Sequence, residues 1–222
     1  MKWLYCILFF AVMAGCGEQQ PKKPVPPSDG YFYEGDSLNF VRKLYKQKVL
    51  VQETTFVNGK AHGTEKNYYK DGTLSSTVEF SEARRNGMSA SYYETGEKYM
   101  ETPYINGKIH GTRLMYMKNG SVSMKAEYIN GKPVPPLEEY GADGQKIAQP
   151  SIKFQKTEGN LKMELSDRKY RISQFYRIEN NDLIEIATKN GAGILPGAVK
   201  GVKIRAVYTS PRGAEGAVDA KY

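Results

Sequence analysis

Two stretches decide the fold: VNGKAHGTEKNYYKDG at residues 57–72 and INGKIHGTRLMYMKNG at residues 105–120. Each opens on an Asn-Gly step, continues through a His-Gly pair to an aromatic residue, and closes on Asp-Gly or Asn-Gly. One such dipeptide signals only a tight turn. The same turns, spacer and aromatic recurring together indicate that one supersecondary unit has been copied.

Sliding the sequence against itself by 24 residues extends the observation along the chain. Phe56, Phe80, Tyr104 and Tyr128 fall in one column, and Tyr68, Tyr92, Tyr116 and Tyr140 in a second. Gly72, Gly96, Gly120 and Gly144 form a third, while Gly63, Gly87 and Gly111 form a fourth that ends in Pro135. YKQKVL at 45–50 is a weaker copy one period before YKDGTL at 69–74, so the array is expected to begin near Leu44. It should end near Ile147, after a decayed copy in which Val134, Pro135 and Pro136 replace the His-Gly pair, because terminal repeats depart from the pattern.

Within the copies apolar residues alternate with polar ones, as in Leu74, Val78, Phe80 against Thr73, Thr77, Glu79, which is the period of a strand. KDG, ETG, KNG and ADG supply glycine for tight turns, and NGKAHG and NGKIHG the longer return turns. Each unit is then a hairpin of about 24 residues, and successive hairpins extend a meandering antiparallel sheet over 44–148. From Ser151 the period vanishes, and IKFQKT, LKMELS, YRISQFYRI, LIEIAT, VKIRAVYTS and GAVDAKY predict a small all-β unit over 151–222, sandwich-like, with VYTSPRGAEGAV as its closing hairpin. PVPP and GADGQKIAQP are expected to form the seam between the two. The fold class is all-β throughout.

The repeat resembles the bacterial variant of the MORN repeat, best at 56–74 and 104–122, in proteins described as antitoxins of toxin-antitoxin modules. In the second copy Ala83 and Asn86 replace the glycine and the histidine. The resemblance implies a sheet used for protein contact, sometimes for lipid contact, with no shared catalytic residue. The pattern over 151–222 looks like an immunoglobulin-like sandwich, and equally fits another small sandwich or barrel.

The chain opens on MKWLYCILFFAVMAGC, an apolar run too short to span a bilayer as a mature helix. Cys16 after MAG resembles the lipobox of bacterial lipoproteins, with Met13 where leucine is commonest. That resemblance implies removal of 1–15, acylation of Cys16 and attachment to the cell envelope. Gly17 stands where aspartate would resemble an inner-membrane retention signal, so the outer membrane is favoured. Cys6 would leave with the leader, and the mature chain could form no internal disulfide. Residues 16–43, which begin with the proline-rich GEQQPKKPVPPSDG after the cysteine, are expected to be a flexible tether.

Little catalytic chemistry is on offer. His62 and His110 lie two periods apart, a lateral step of roughly 20 Å that one zinc ion cannot bridge. Glu138 and Glu139 should point to opposite faces of a strand, and Glu179 with Asp182 falls in the turn-like IENND. No catalytic residue, cofactor or metal is assigned. The net charge is +8, but residues 45–150 hold 14 basic against 12 acidic residues and 151–222 hold 13 against 8, so no stripe suits nucleic acid.

Tyr68, Tyr92, Tyr116 and Tyr140 are expected to pack as structural aromatics on one sheet face, whereas Tyr69, Tyr93 and Tyr99 on the other could form an exposed stripe for a protein partner. Met117 and Gly141 interrupt that stripe. The function expected is a non-catalytic, lipid-anchored binding or scaffold protein. Two rivals stand beside it: an immunity factor neutralising a toxin, and an envelope hydrolase using carboxylates of the C-terminal unit.

Overall fold

The computed structural model describes residues 25–197 and 200–222, so the expected leader and Cys16, the residue expected to be acylated, lie outside the described residues. Every regular element there is a strand. The first sheet is built from β1 (Gly30–Gly35), β2 (Phe40–Lys46), β3 (Val49–Val57), β4 (Lys60–Ala61), β5 (Gly63–Tyr68), β6 (Leu74–Ser81), β7 (Arg84–Tyr92), β8 (Lys98–Ile105), β9 (Lys108–Ile109), β10 (Gly111–Tyr116), β11 (Val122–Ile129), β12 (Lys132–Tyr140) and β13 (Lys146–Ile147). Its order is β1-β2-β3-β5-β6-β7-β8-β10-β11-β12-β13, with β4 paired to β3 and β9 to β8, a meander without a crossover.

The remaining strands are β14 (Ile152–Thr157), β15 (Asn160–Leu165), β16 (Arg171–Glu179), β17 (Asp182–Ile186), β18 (Thr188–Lys189), β19 (Ala192–Pro196), β20 (Lys203–Thr209) and β21 (Glu215–Lys221). They form two four-stranded sheets, β14-β15-β19-β18 and β17-β16-β20-β21. These face each other around Leu161, Met163, Phe175, Ile204, Ala206 and Tyr208. Gly193 lies so close to the opposing sheet that a Cβ would stand 2.8 Å from Phe175.

Two turn types alternate along the repeat sheet. At one end Asn58-Gly59, Glu82-Ala83, Asn106-Gly107 and Asn130-Gly131 all have both residues at positive φ, the tight hairpin turn that matches strand twist. At the other end the amide of Tyr69 donates to Thr73 O and that of Gly72 to Tyr69 O. Tyr93, Met117 and Gly141 open identical loops. Ser210 opens one too, in the sandwich's closing hairpin. The amides of Gly59, Ala83, Gly107 and Gly131 each donate to a carbonyl of the preceding hairpin, so the turns themselves are stacked.

Register explains why two of the sequence columns travel together. Phe80 lies opposite Gly63, Tyr104 opposite Gly87 and Tyr128 opposite Gly111. A ring beside a glycine covers backbone that the missing side chain would leave bare. The two columns therefore describe one cross-strand pair.

Three boundaries differ from the sequence expectation. The sheet starts at Gly30, because residues 30–43 of the supposed tether supply β1 and most of β2. PVPP at 133–136, expected at the seam between the two units, is itself part of the repeat sheet: it lies within β12, where Ala126 pairs with Leu137 and Glu127 with Val134, leaving Pro135 and Pro136 as a bulge. Finally, Met124, Ala126, Tyr128 and Leu137 of the last hairpin belong to the same apolar core as the sandwich, so repeat sheet and sandwich share one interior.

Candidate binding face of the repeat sheet

Strand parity and register give the repeat sheet two unlike faces. One carries the ion pairs Glu34–Lys43, Lys98–Glu101 and Glu138–Lys146. Tyr116 and Tyr140 lie on the same side, their hydroxyls donating to Glu101 (2.6 Å) and Glu138 (3.0 Å). The hydrogen bond to Glu101 pushes the Tyr116 phenol up to about 12, and Glu101 is held below its ordinary value first by Lys98 and then by Tyr116. Six charged groups of this face are thus paired with one another.

The other face has arginine instead of ion pairs. A straight row crosses it through Arg42, Thr54, Glu65, Val78, Ser89, Thr102 and Arg113. Beside it runs the aromatic row of Phe40, Phe56, Phe80, Tyr104 and Tyr128, with Phe40 and Phe56 stacked at 4.6 Å. The guanidinium of Arg42 sits 5.2 Å from the Tyr31 ring centre and 4.9 Å from that of Phe56. Arg85 stands 5.4 Å from Tyr104 and Arg113 4.8 Å from Tyr128. Cation–π attraction fixes each guanidinium on its ring and leaves its outer edge to donate.

None of these three arginines forms an ion pair among the described residues. Arg42 Nε is buried and bonded to no oxygen there. Arg85 and Arg113 spend one donor each on the Tyr104 and Tyr128 hydroxyls, both at 3.3 Å, and Arg113 Nε reaches Thr102 Oγ1 at 3.2 Å. Two repeats earlier Thr54 meets Glu65 instead, and there the threonine donates, at 2.8 Å. A hydroxyl can do either, so this column accepts an acid or a base.

The tyrosine stripe is placed differently from expectation. Tyr69 and Tyr93 are half-buried, and their hydroxyls donate to the carbonyls of Tyr92 (2.6 Å) and Tyr116 (2.9 Å) in the following repeat. They act as staples between hairpins, with their polar ends already used. Tyr99 packs edge-on against Tyr93 at 5.1 Å and is itself half-buried. Tyr93 and Tyr99 thus meet at the loop end of the sheet, and Tyr69 reaches the carbonyl of Tyr92 one repeat on. The arginine face escaped the sequence reading because Arg42, Arg85 and Arg113 are out of phase with the 24-residue period. Register alone unites them.

The other candidates separate as well. His62 is exposed and His110 half-buried, each amide bonded to a carbonyl, of Thr55 and Pro103. Among the described residues no group of three His, Cys, Asp or Glu side chains is placed to hold a metal. Glu138 pairs with Lys146, while Glu139 is buried and accepts the Ser210 hydroxyl at 2.8 Å. Glu179 and Asp182 flank the turn at Asn180 and Asn181. Compared with known proteins, the chain matches no family model and no curated sequence.

Proposed function

We propose that this chain is a lipid-anchored protein of the cell envelope, acylated at Cys16 and held in the outer membrane, which uses the arginine–aromatic face of a MORN-like repeat sheet to hold a protein partner that presents carboxylates. The sandwich, whose orders β14-β15-β19-β18 and β17-β16-β20-β21 fit the A-B-E-D and C′-C-F-G arrangement, is read as immunoglobulin-like. The observation that carries the reading is the contrast between faces: one holds three ion pairs, and the other keeps Arg42, Arg85 and Arg113 stacked and oriented, with no carboxylate paired to any of them among the described residues. A guanidinium already fixed on a ring loses little further freedom when a carboxylate docks bidentately.

The test places a photo-crosslinking side chain at Ser91, on the arginine face, and separately at Lys66, on the opposite face, in the full chain in its native membrane. A defined adduct at Ser91 that disappears with Arg85→Ala and Arg113→Ala, and is missing at Lys66, is expected. Equal adducts from both faces, or none from either, would overturn the assignment. Fatty-acid labelling lost in Cys16→Ser tests the anchor separately.

A further inference from the structure

A sheet that ends in an unpaired strand presents a row of amides and carbonyls to whatever strand comes near. Among the described residues no strand covers the outer side of β1. Its sequence, GYFYEG, contains no proline and no lysine, the residues by which exposed edges are ordinarily blocked, and only one charge, Glu34. Tyr31 and Tyr33 are 53% and 58% exposed, among the most exposed large side chains described. The opposite end of the sheet is closed: β13 is two residues long, and β12 packs against β21 of the sandwich.

We propose that β1 is the docking edge for a second copy of this chain, the two β1 strands pairing antiparallel about a two-fold axis at Phe32. Side-chain parity allows registers centred on Phe32 or on Tyr33, and charge chooses between them. Centred on Phe32, each Tyr31 lies opposite the other copy's Tyr33, and Glu34 lies opposite Gly30. Centred on Tyr33, Phe32 would face the carboxylate of Glu34. The first pairing extends the aromatic row across the junction and brings no like charges together. Its axis is perpendicular to the sheet, so the arginine faces of both copies look the same way, giving one surface of doubled length.

Within the repeat sheet the pair is self-limiting, since among the described residues β1 is the one long uncovered edge of that sheet and the symmetric contact consumes it in both copies. A six-residue edge buries less than the roughly 1,200 Å² of a stable complex, so association should be weak in dilute solution. Anchoring at Cys16, the reading proposed above, would confine both copies to one membrane and raise their effective concentration. The two Gly30 residues would be roughly 14 Å apart along the strands, well within the reach of the 13 residues between Cys16 and Gly30 in each chain.

A single-cysteine scan tests the register. In the full chain carrying Cys6→Ser, Phe32→Cys should form a disulfide-linked dimer under mild oxidation at least tenfold faster than Tyr31→Cys, Tyr33→Cys or the remote exposed Ile129→Cys. Mixed Tyr31→Cys and Tyr33→Cys chains should link to each other. Adding Tyr31→Lys and Tyr33→Lys to Phe32→Cys sets lysine opposite lysine and should slow the reaction tenfold, with the strand content unchanged by circular dichroism. Repeating the scan on concentrated chain that also carries Cys16→Ser separates the edge from the anchor: the ranking of positions should persist while the absolute rate falls. Equal rates at positions 32 and 129, a Tyr33-centred ranking, or capture of a foreign protein at position 32 in place of a second copy would each overturn the proposal.

Discussion

Between residues 25 and 123 only Thr54, Val78, Ala90 and Thr102 are buried, and two of these are hydroxylic. Beyond them Tyr128, Leu137, Leu161, Met163, Phe175, Ile204 and Tyr208 are all essentially inaccessible. The early repeats are a single layer, held by cross-strand pairs, stacked turns and staples between neighbouring hairpins. The sandwich and the last hairpin form a two-sided interior. In a single layer each interaction is local and small, and removing one should fray a hairpin. In the shared core Leu137 of the last hairpin packs against Gly216 of the sandwich, and removing such a side chain should destabilise the whole. Stability then runs downhill from the sandwich toward β1, the edge that is left to associate.

The sharpest way to break that comparison is Leu137→Ala. Leu137 is 1% exposed and joins β12 to the sandwich core, so the cost should be about 3 kcal/mol, in the range of large-to-small core changes. Urea unfolding followed separately by a probe in each unit should show both transitions shifted together. A shift confined to one unit would mean that the interior is not shared. Next comes Gly216→Val, in which the new Cβ would stand 2.7 Å from Leu137 Cδ2. Overpacking there should cost about 2 kcal/mol and weaken the docking of β21 on β12.

Within the single layer the effects should be smaller and local. Tyr69→Phe and Tyr93→Phe each remove one staple and should cost about 1 kcal/mol, whereas Tyr99→Phe should cost almost nothing, since Tyr99 contributes packing alone. Hydrogen exchange should rise in the two hairpins that the lost staple joined, leaving the sandwich unchanged. Ala83→Gly works in the opposite direction. Ala83 is held at φ 61°, in the left-handed region, so glycine should stabilise the chain by about 0.5 kcal/mol after the entropy of its unfolded state is set against the relieved strain. Gly107→Ala, at the equivalent turn, should reverse the sign.

How far the sequence discloses these arrangements depends on what generates each one. The hairpin array is legible because glycine at positive φ, strand parity and aromatic–glycine pairs all recur at the same phase. Its first copy is obscured because Gln47-Lys48 makes a tight turn without glycine, with a register shift at Leu44/Tyr45 that keeps the length constant. β1 is invisible to the period because residues 36–39 replace the usual turn with a loop that the Asp36 carboxylate caps. β19, central between β15 and β18, is missing from the expected runs because Gly191, Gly193 and Pro196 interrupt its apolar residues Ala192, Ile194 and Leu195. The arginine face needs three residues from different repeat phases to be laid side by side. Parity assigns a side to each, but only register reveals that the side is common.

The smallest effect expected is a pH dependence, and it separates the ion-paired face from the arginine face. Glu101 has its pKa lowered from 4.5, chiefly by Lys98 and then by Tyr116, so its carboxylate contributes stability above pH 4.5 that is lost as pH falls through the lowered value. Tyr116 is raised from 10.0 to about 12, so its contribution is complete below pH 10 and is lost as pH climbs from 10 toward 12. Glu101→Gln should therefore be less stable than the parent at neutral pH, with the difference shrinking at both ends of the scale. Tyr116→Phe leaves Lys98 on Glu101 and should flatten mainly the alkaline side. Arg113→Gln, on the opposite face, removes no carboxylate pair and should shift stability by the same amount at pH 3 and pH 7. A parallel acid dependence for Arg113→Gln, measured by denaturant unfolding across that range, would mean that Arg113 is neutralised by an acid within the fold, and the distinction between the two faces would fail.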